Sequence, residues 1–170
     1  VPDAAFFLGL AAGAWDCPGG AGAPIPTPLT GHTSAVHAGK VYVFSGSTLP
    51  YPCCGDEVRA YDPVANEWTP KRRMPEWSQG ATAHTIGDKI YVVMGNTPLR
   101  QLQNTLYEYD PATVQWSTRP PRPTYRTSFV SAAVNGLLYV VGGMGLPGDG
   151  PGPAYGISTE TKTHVEIYDP

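Results

Sequence analysis

The chain has 170 residues, of which 41% are hydrophobic and 15% charged, and its formal net charge is −3. A chain of this length and hydrophobicity can bury a sizeable core, which excludes a disordered polar chain. Its longest basic run, residues 71–73, is too short for the basic stripe that neutralises nucleic-acid phosphates, so we predict no nucleic-acid partner. The apolar stretch 4–15 contains two glycines and is too short to cross a bilayer, so we also predict no membrane span.

The N-terminal region, residues 1–30, contains a single tryptophan, Trp15, which a loop from residue 17 to residue 28 follows. The region lacks the charged start of a signal peptide. Because the chain begins at Val1 rather than at a methionine, we interpret it as a processed or excised product.

An internal repeat follows this region. Tyr42, Tyr91 and Tyr139 lie 49 (91 − 42) and 48 (139 − 91) residues apart, each in a short β-branched and aromatic run that ends in glycine. A Tyr-Asp-Pro block recurs at residues 61–63 and 109–111, which are 48 residues apart, and again 59 residues later at 168–170. About ten residues are therefore inserted in the third copy, and we place them in a loop.

Each copy is predicted to form four strands. The first strand is small and weakly polar (33–36, 82–85 and 131–134), and a tight turn leads to the tyrosine-centred second strand. The third strand ends in the Tyr-Asp-Pro block, because proline has no N–H to donate, and the fourth carries Trp68 or Trp116. The aspartates of the block are interpreted as turn residues that accept backbone N–H groups: Asp62, Asp110 and Asp169.

The repeated unit resembles the kelch repeat. The resemblance lies in the strand that ends in Gly142-Gly143, in the Tyr-Asp-Pro block and, in two copies, in a tryptophan seven residues after the tyrosine. It covers roughly residues 15–170 and departs from the family pattern at residues 45 and 94, where serine and methionine replace the first glycine. It implies an all-β fold of kelch-type β-propeller blades, about three four-stranded antiparallel sheets packed face to face around an axis.

We divide the chain into residues 1–30, with a strand around Trp15 that completes another blade, blade 1 (31–78), blade 2 (79–127) and blade 3 (128–170), which lacks its outer strand. Three blades do not close a ring. Two interpretations stay open. In the first, the chain is an excerpt and its remaining blades lie in the same protein; we favour this interpretation because the chain ends inside a repeat. In the second, another copy of the chain supplies the missing strand.

The strand two-to-three loops, 47–56, 96–103 and 144–162, are expected to share one rim with the linkers between blades. Long loops on a rigid scaffold are where binding is expected, so we predict an interaction scaffold that recognises a protein or a glycan through this rim. Aromatic and arginine side chains dominate such surfaces, and the third loop adds a distinctive aspartate. The candidate contacts are Tyr51, Trp77, Arg100, Tyr125, Asp149 and Tyr155.

All three cysteines, Cys17, Cys53 and Cys54, are expected on the same rim. A disulfide from Cys17 to either of the others would close a loop of about 36 residues and indicate an oxidising compartment, secreted or periplasmic. Three unpaired thiols in a reducing compartment are the alternative. Since no CxxC spacing occurs, we predict no structural zinc site.

No catalytic group, metal ligand set or cofactor is identified, and His84 is interpreted as a satisfied structural histidine. Some proteins that share the kelch resemblance are carbohydrate-active enzymes, which oxidise galactose with copper or isomerise sialic acids. A galactose-oxidase-like or sialic-acid-epimerase-like enzyme is therefore the alternative function. It is less favoured because no matching tyrosine, cysteine and histidine constellation can be placed on this sequence.

Overall fold

The computed structural model describes residues 22–48, 55–97, 99–154 and 159–170. Within these ranges every regular element is a β-strand, which confirms the all-β prediction. The first sheet contains β1 (Thr33–His37), β2 (Lys40–Phe44), β3 (Val58–Asp62) and β4 (Glu67–Pro70). The second contains β5 (Thr82–Ile86), β6 (Lys89–Val93), β7 (Leu106–Asp110) and β8 (Gln115–Arg119). In both sheets the strands follow one another in chain order and pair antiparallel.

The third sheet has the order β10-β11-β14, formed by β10 (Val130–Val134), β11 (Leu137–Val141) and β14 (Val165–Tyr168). The insertion that we expected in a loop of this copy contains strands of its own. In it, β12 (Met144–Gly145) and β13 (Glu160–Thr161) pair, and β12 also pairs with β9 (Arg126–Thr127) from the preceding linker. Two-residue strands of this kind carry too little periodicity to be read from a sequence.

Tyr42, Tyr91 and Tyr139 occupy equivalent positions. Each lies at the centre of the second strand of its sheet and pairs with the central residue of the first strand. The predicted tight turns are also present: Asn135 and Gly136 both have positive φ, 51° and 82°. Positive φ at both central residues matches the right-handed twist of the paired strands, which is why Asn-Gly predicts this turn.

The three sheets pack face to face, and their facing sides form the core. Between the first and second sheets, Phe44, Ile90 and Val92 are fully buried, and Trp116 packs on their outer side with its ring centroid 4.8 Å from that of Tyr109. At the inner strands the contacts are polar, since Thr85 donates to the carbonyl oxygen of Val36 over 2.7 Å. Small side chains therefore lie near the axis and aromatic ones fill the outer gap, as the strand composition predicted.

The second gap contains charge where the first is apolar. Arg122, Arg126 and Glu166 occupy the repeat positions of Met74, Ser78 and Tyr107. The guanidinium of Arg126 is fully buried and donates to Glu166 Oε2 over 2.5 Å. Arg122 donates to the carbonyl oxygens of Met94 (2.9 Å) and Gln103 (2.8 Å) and lies 4.4 Å from the Phe129 ring centroid. Burial lowers the pKa of Arg122 to about 10.

The aspartates of the first two Tyr-Asp-Pro blocks have the predicted turn role. Asp62 Oδ1 accepts the backbone N–H groups of Val64 and Ala65 at 2.9 and 3.1 Å, and Asp110 Oδ1 accepts those of Ala112 and Thr113 at 2.9 and 3.3 Å. The other carboxylate oxygen pairs with a lysine at the start of the second strand, Lys40 at 2.6 Å and Lys89 at 2.8 Å. Each aspartate thus joins a turn to its neighbouring strand.

The Asp110 turn predicts a pH dependence of stability. The bond from Lys89, with the N–H groups of the turn, lowers the pKa of Asp110 below its usual value of about 3.9. A lowered native pKa adds stability that is fully present above pH ~4 and is lost as the pH falls below it. We expect Asp110→Asn and Lys89→Met each to flatten the unfolding free energy between pH 5 and pH 2, measured by urea titration. Curves parallel to wild type would contradict this role.

The buried charges of the second gap predict a second result. Glu166→Gln leaves two buried guanidiniums without their carboxylate and is expected to cost about 3 kcal/mol of unfolding free energy. The triple variant Arg122→Met, Arg126→Ser and Glu166→Tyr installs the residues that the chain itself uses in the first gap. Because the two guanidiniums and their carboxylate are removed together, we expect it to cost less than Glu166→Gln alone, measured by chemical denaturation. A triple variant less stable than the single one would contradict this account.

Candidate functional site

The linkers between sheets and the strand two-to-three loops meet along one edge of the molecule, which we call the loop rim. Thr30 and Ser47 form an antiparallel bridge with two backbone hydrogen bonds of 2.9 Å. Gln79 and Asn96 repeat it one unit later, at 2.9 and 3.0 Å, and β9 pairs with β12 in the third unit. Each loop is therefore anchored to its linker through the backbone, which fixes the loop bases without requiring particular side chains.

A glycine makes each of these close approaches possible. A Cβ atom at Gly95 would lie 2.4 Å from the carbonyl oxygen of Gln79, and one at Gly143 would lie 2.7 Å from that of Thr127. At Gly46 it would lie 2.9 Å from His32 Cβ. These are the second glycines of the kelch-like pairs, so they are needed where the linker crosses the end of the second strand.

The second and third loops are joined to each other. Leu102 donates its backbone N–H to the carbonyl oxygen of Gly152 at 2.7 Å, and Ala154 donates to that of Arg100. At the tip of the second loop, the side chain of Leu99 is 83% exposed, the highest value among the exposed large hydrophobic residues described. An apolar side chain is therefore open to solvent on a loop that is anchored through its backbone.

Ion pairs hold the third loop. The ammonium of Lys162, 4% exposed, lies 2.8 Å from Asp149 Oδ1 and 2.6 Å from Glu160 Oε1, and it also donates to the carbonyl oxygen of Leu146 at 2.8 Å. The bond from Lys162 lowers the pKa of Asp149, and the same bond raises the pKa of Lys162. His164 Nε2 lies 3.6 Å from Asp149 Oδ2. Asp149 therefore supports the third loop through its ion pair with Lys162.

The predicted contact residues divide into three groups. Arg100 is exposed beside Leu99. Tyr125 is half-buried, and its backbone N–H donates to the carbonyl oxygen of Asp149 at 3.0 Å. Three of the predicted contact residues, Arg100, Tyr125 and Asp149, thus lie in the joined loops and their linker. Trp77 is half-buried and covers Gly55, since a Cβ there would fall 1.3 Å from its indole nitrogen. Outside the described residues lie Tyr51, Tyr155, Trp15 and the disulfide candidates Cys17, Cys53 and Cys54.

Two features of the rim were missed by sequence reasoning. The sequence signal for Leu99 was an apolar residue inside the predicted loop 96–103. The buried Arg122, Arg126 and Glu166 lie directly below the rim, and a comparison of the copies would have found them, because charged residues replace Met74 and Tyr107. They connect the linker of the third unit to β14 through Glu166.

The inner strands line a second concave surface around the axis. His84 Nε2 lies 2.7 Å from Ser131 Oγ, and Ser131 Oγ donates to Thr82 Oγ1 at 2.5 Å. Burial lowers the pKa of His84, which favours the neutral imidazole, and the ring is hydrogen-bonded across two sheets, as the structural interpretation predicted. His32, which precedes β1, and Ser34 of β1 line the same opening.

Neither a metal cluster nor a membrane-spanning helix is found in the part of the chain that the structure describes. Within the ranges given above, no three His, Cys, Asp or Glu side chains are grouped as metal ligands. No helix there has the length and apolar character needed to cross a bilayer.

Comparison with known proteins agrees with this architecture. Residues 3–163 match the KLHDC2/KLHL20/DRC7 Kelch-repeats domain. The chain is 34% identical over 122 residues to Kelch-like protein 40 of Xenopus laevis, covering 71% of this chain and 19% of that protein. It is 36% identical over 94 residues to human Kelch repeat and BTB domain-containing protein 12, covering 51% and 14%. Beta-scruin of Limulus polyphemus is 26% identical over 154 residues, covering 87% and 16%.

Among solved structures, that of YjhT superposes with a TM-score of 0.61 at 28% identity and covers 70% of this chain and 35% of its own. The chain thus spans between 14% and 19% of the three curated relatives and about a third of the solved structure. The repeated four-stranded sheets, the glycines at their crossings and the match over residues 3–163 together show that this chain belongs to the kelch-repeat family.

Proposed function

We propose that this chain is a protein-binding scaffold that recognises its partner through the loop rim. The observation that carries the proposal is the exposed Leu99 on a loop whose base is bonded to both its linker and the neighbouring loop. A binding loop whose base is already fixed by backbone hydrogen bonds loses less conformational freedom when the partner docks, which favours affinity.

The chemistry of the joined loops suits a protein surface. Leu99 offers an apolar anchor, Arg100 lies beside it, and Tyr125 adds an aromatic face at the linker of the third unit. Arginine and tyrosine are enriched among the residues that dominate protein–protein binding energies. The similarity to Kelch-like protein 40 and to Kelch repeat and BTB domain-containing protein 12 supports a kelch scaffold, and we propose that the partner of this chain is a protein.

A rim substitution tests the proposal. Partners captured by the wild-type chain are identified by quantitative mass spectrometry, and the purified pair is then titrated by calorimetry. We expect Leu99→Asp, which places a charge at the apolar tip, to weaken binding at least about tenfold. The matched control is Asp88→Lys, also an exposed charge change but in the β5–β6 turn on the opposite rim, and it is expected to leave the affinity unchanged.

The outcomes separate the alternatives. Equal affinity of wild type and Leu99→Asp, or a loss confined to Asp88→Lys, contradicts the loop rim as the binding surface. If oligosaccharides bind the rim and Leu99→Asp abolishes that binding while no protein partner is titratable, the ligand is a glycan and the protein proposal is wrong.

A further inference from the structure

A buried lysine, Lys162, holds the third loop. Its ammonium is 4% exposed and lies within 2.8 Å of three oxygen atoms. They are the carbonyl oxygen of Leu146 at 2.8 Å, Asp149 Oδ1 at 2.8 Å and Glu160 Oε1 at 2.6 Å. Two carboxylates and a carbonyl group therefore converge on one cation, and a neutral side chain at this position would leave all three without it.

Lys162 fixes a turn of this loop at both of its ends. Leu146 and Asp149 begin and end the turn, since the N–H of Asp149 donates to the carbonyl oxygen of Leu146 at 3.1 Å. The carbonyl oxygen of Asp149 accepts the N–H of Tyr125 at 3.0 Å, which connects the turn to the linker before the third sheet. The position of the turn therefore depends on the Lys162 ammonium and on a few backbone groups.

The turn packs on the part of the third loop that contacts the second loop. Leu146 Cδ1 lies against Gly152, since an added Cβ there would be 2.2 Å from it. The carbonyl oxygen of Gly152 accepts the N–H of Leu102 at 2.7 Å, and the side chain of Leu102 is buried. The second loop is therefore bonded to a segment whose position is determined by the turn.

The other bond between the loops lies beside the tip of the second loop. Ala154, which is fully buried, donates its N–H to the carbonyl oxygen of Arg100, and Arg100 directly follows Leu99. A continuous series of contacts thus connects the Lys162 ammonium with Leu99. Every step in this series is an ion pair, a hydrogen bond or a packing contact, which is the kind of connected network that can carry coupling between two places.

Comparison of the copies shows that this role of the side chain is specific to the third loop. Gln103 occupies the position of Lys162 in the second copy, because both donate their backbone N–H to the second glycine of the kelch-like pair, over 2.9 and 2.8 Å. The side chain of Gln103 donates instead to Glu76 Oε2 of the preceding linker, at 2.9 Å. A lysine therefore replaces the glutamine in the copy whose longer loop contains the carboxylates that the lysine binds.

We infer that Lys162 is a positioning residue of the loop rim: its ion pairs fix the third loop, and the third loop holds the second loop in the orientation that presents Leu99. This inference rests on the proposed function of the rim and adds how the rim is kept in its binding conformation. The second and third loops act as one unit, so a partner that docks on Leu99 depends on a buried lysine in the neighbouring repeat.

Hydrogen exchange of single amides, followed by NMR in the free chain, tests the coupling without a partner. Lys162→Met keeps the apolar stem of the side chain and removes the ammonium. We expect the Leu102 amide, which bonds across to the third loop, to exchange at least about tenfold faster in this variant, while the amides of β6 and β7 keep their wild-type rates. The matched control is Lys40→Met, which removes a lysine paired with Asp62 at 2.6 Å on the opposite rim and should leave the Leu102 amide unchanged.

A second variant, milder for folding, breaks one of the two ion pairs. Asp149→Asn removes a carboxylate and suits the φ of 59° at this position, which asparagine adopts readily. We expect it to speed exchange of the Leu102 amide less than Lys162→Met does, because Glu160 still pairs with the ammonium. The double variant should exchange at the rate of Lys162→Met alone, since both substitutions break the same ion pair.

Titration with the protein partner then tests the positioning role. Lys162→Met is expected to weaken binding at least about threefold, because the loops must be ordered again when the partner docks. Combined with Leu99→Asp, it should weaken binding no further than Leu99→Asp alone, since the contact that Lys162 positions is already lost. Lys40→Met should bind as wild type does.

The outcomes separate this inference from the proposed function. A wild-type exchange rate of the Leu102 amide in both Lys162→Met and Asp149→Asn, or exchange accelerated equally in every strand, contradicts the positioning role. Unchanged affinity of Lys162→Met contradicts it as well when Leu99→Asp weakens binding. If neither variant changes the affinity while the Leu102 amide still exchanges faster, the coupling of the loops is confirmed and the rim is not the binding surface.

Discussion

The structure depends on the burial of sheet faces against one another. A sheet of four short strands has two faces and too little area to bury either alone, so the hydrophobic effect stabilises it only next to another sheet. Ile90, Val92 and Phe44 reach complete burial through contacts between sheets rather than within one. Adjacent units must therefore stay in one orientation, and the positions of their loops relative to one another are determined at the same time.

The fixed orientation of the sheets brings their loops together along the loop rim. The linker between two sheets crosses the end of a second strand, and a glycine at the crossing permits backbone contact within hydrogen-bonding distance. The loops begin from bases that are bonded on both sides, and the buried Arg126 and Glu166 add a charged link below the third loop. Partner recognition on such an edge can change through loop side chains while the sheets below stay the same.

The two gaps show how one repeat supports two kinds of interior. Met74 and Tyr107 contribute apolar surface to the first gap, whereas their counterparts Arg122 and Glu166 contribute charge to the second. A buried arginine is tolerated there because backbone carbonyl groups and the Phe129 ring accept its N–H groups and charge. The tryptophan of the fourth strand, Trp116, packs on the outer side of the first gap.

The sequence alone determined the repeat, the strand order within each sheet, the turn role of Asp62 and Asp110 and the rim on which the long loops lie. These follow from local chemistry, since strand composition, Asn-Gly turns and proline stops act within a few residues. Only the tertiary structure decided that Leu99 is exposed and that Arg122 and Arg126 are buried beside Glu166. Those outcomes depend on residues some forty positions apart meeting across a gap, and no local pattern specifies which pairs meet.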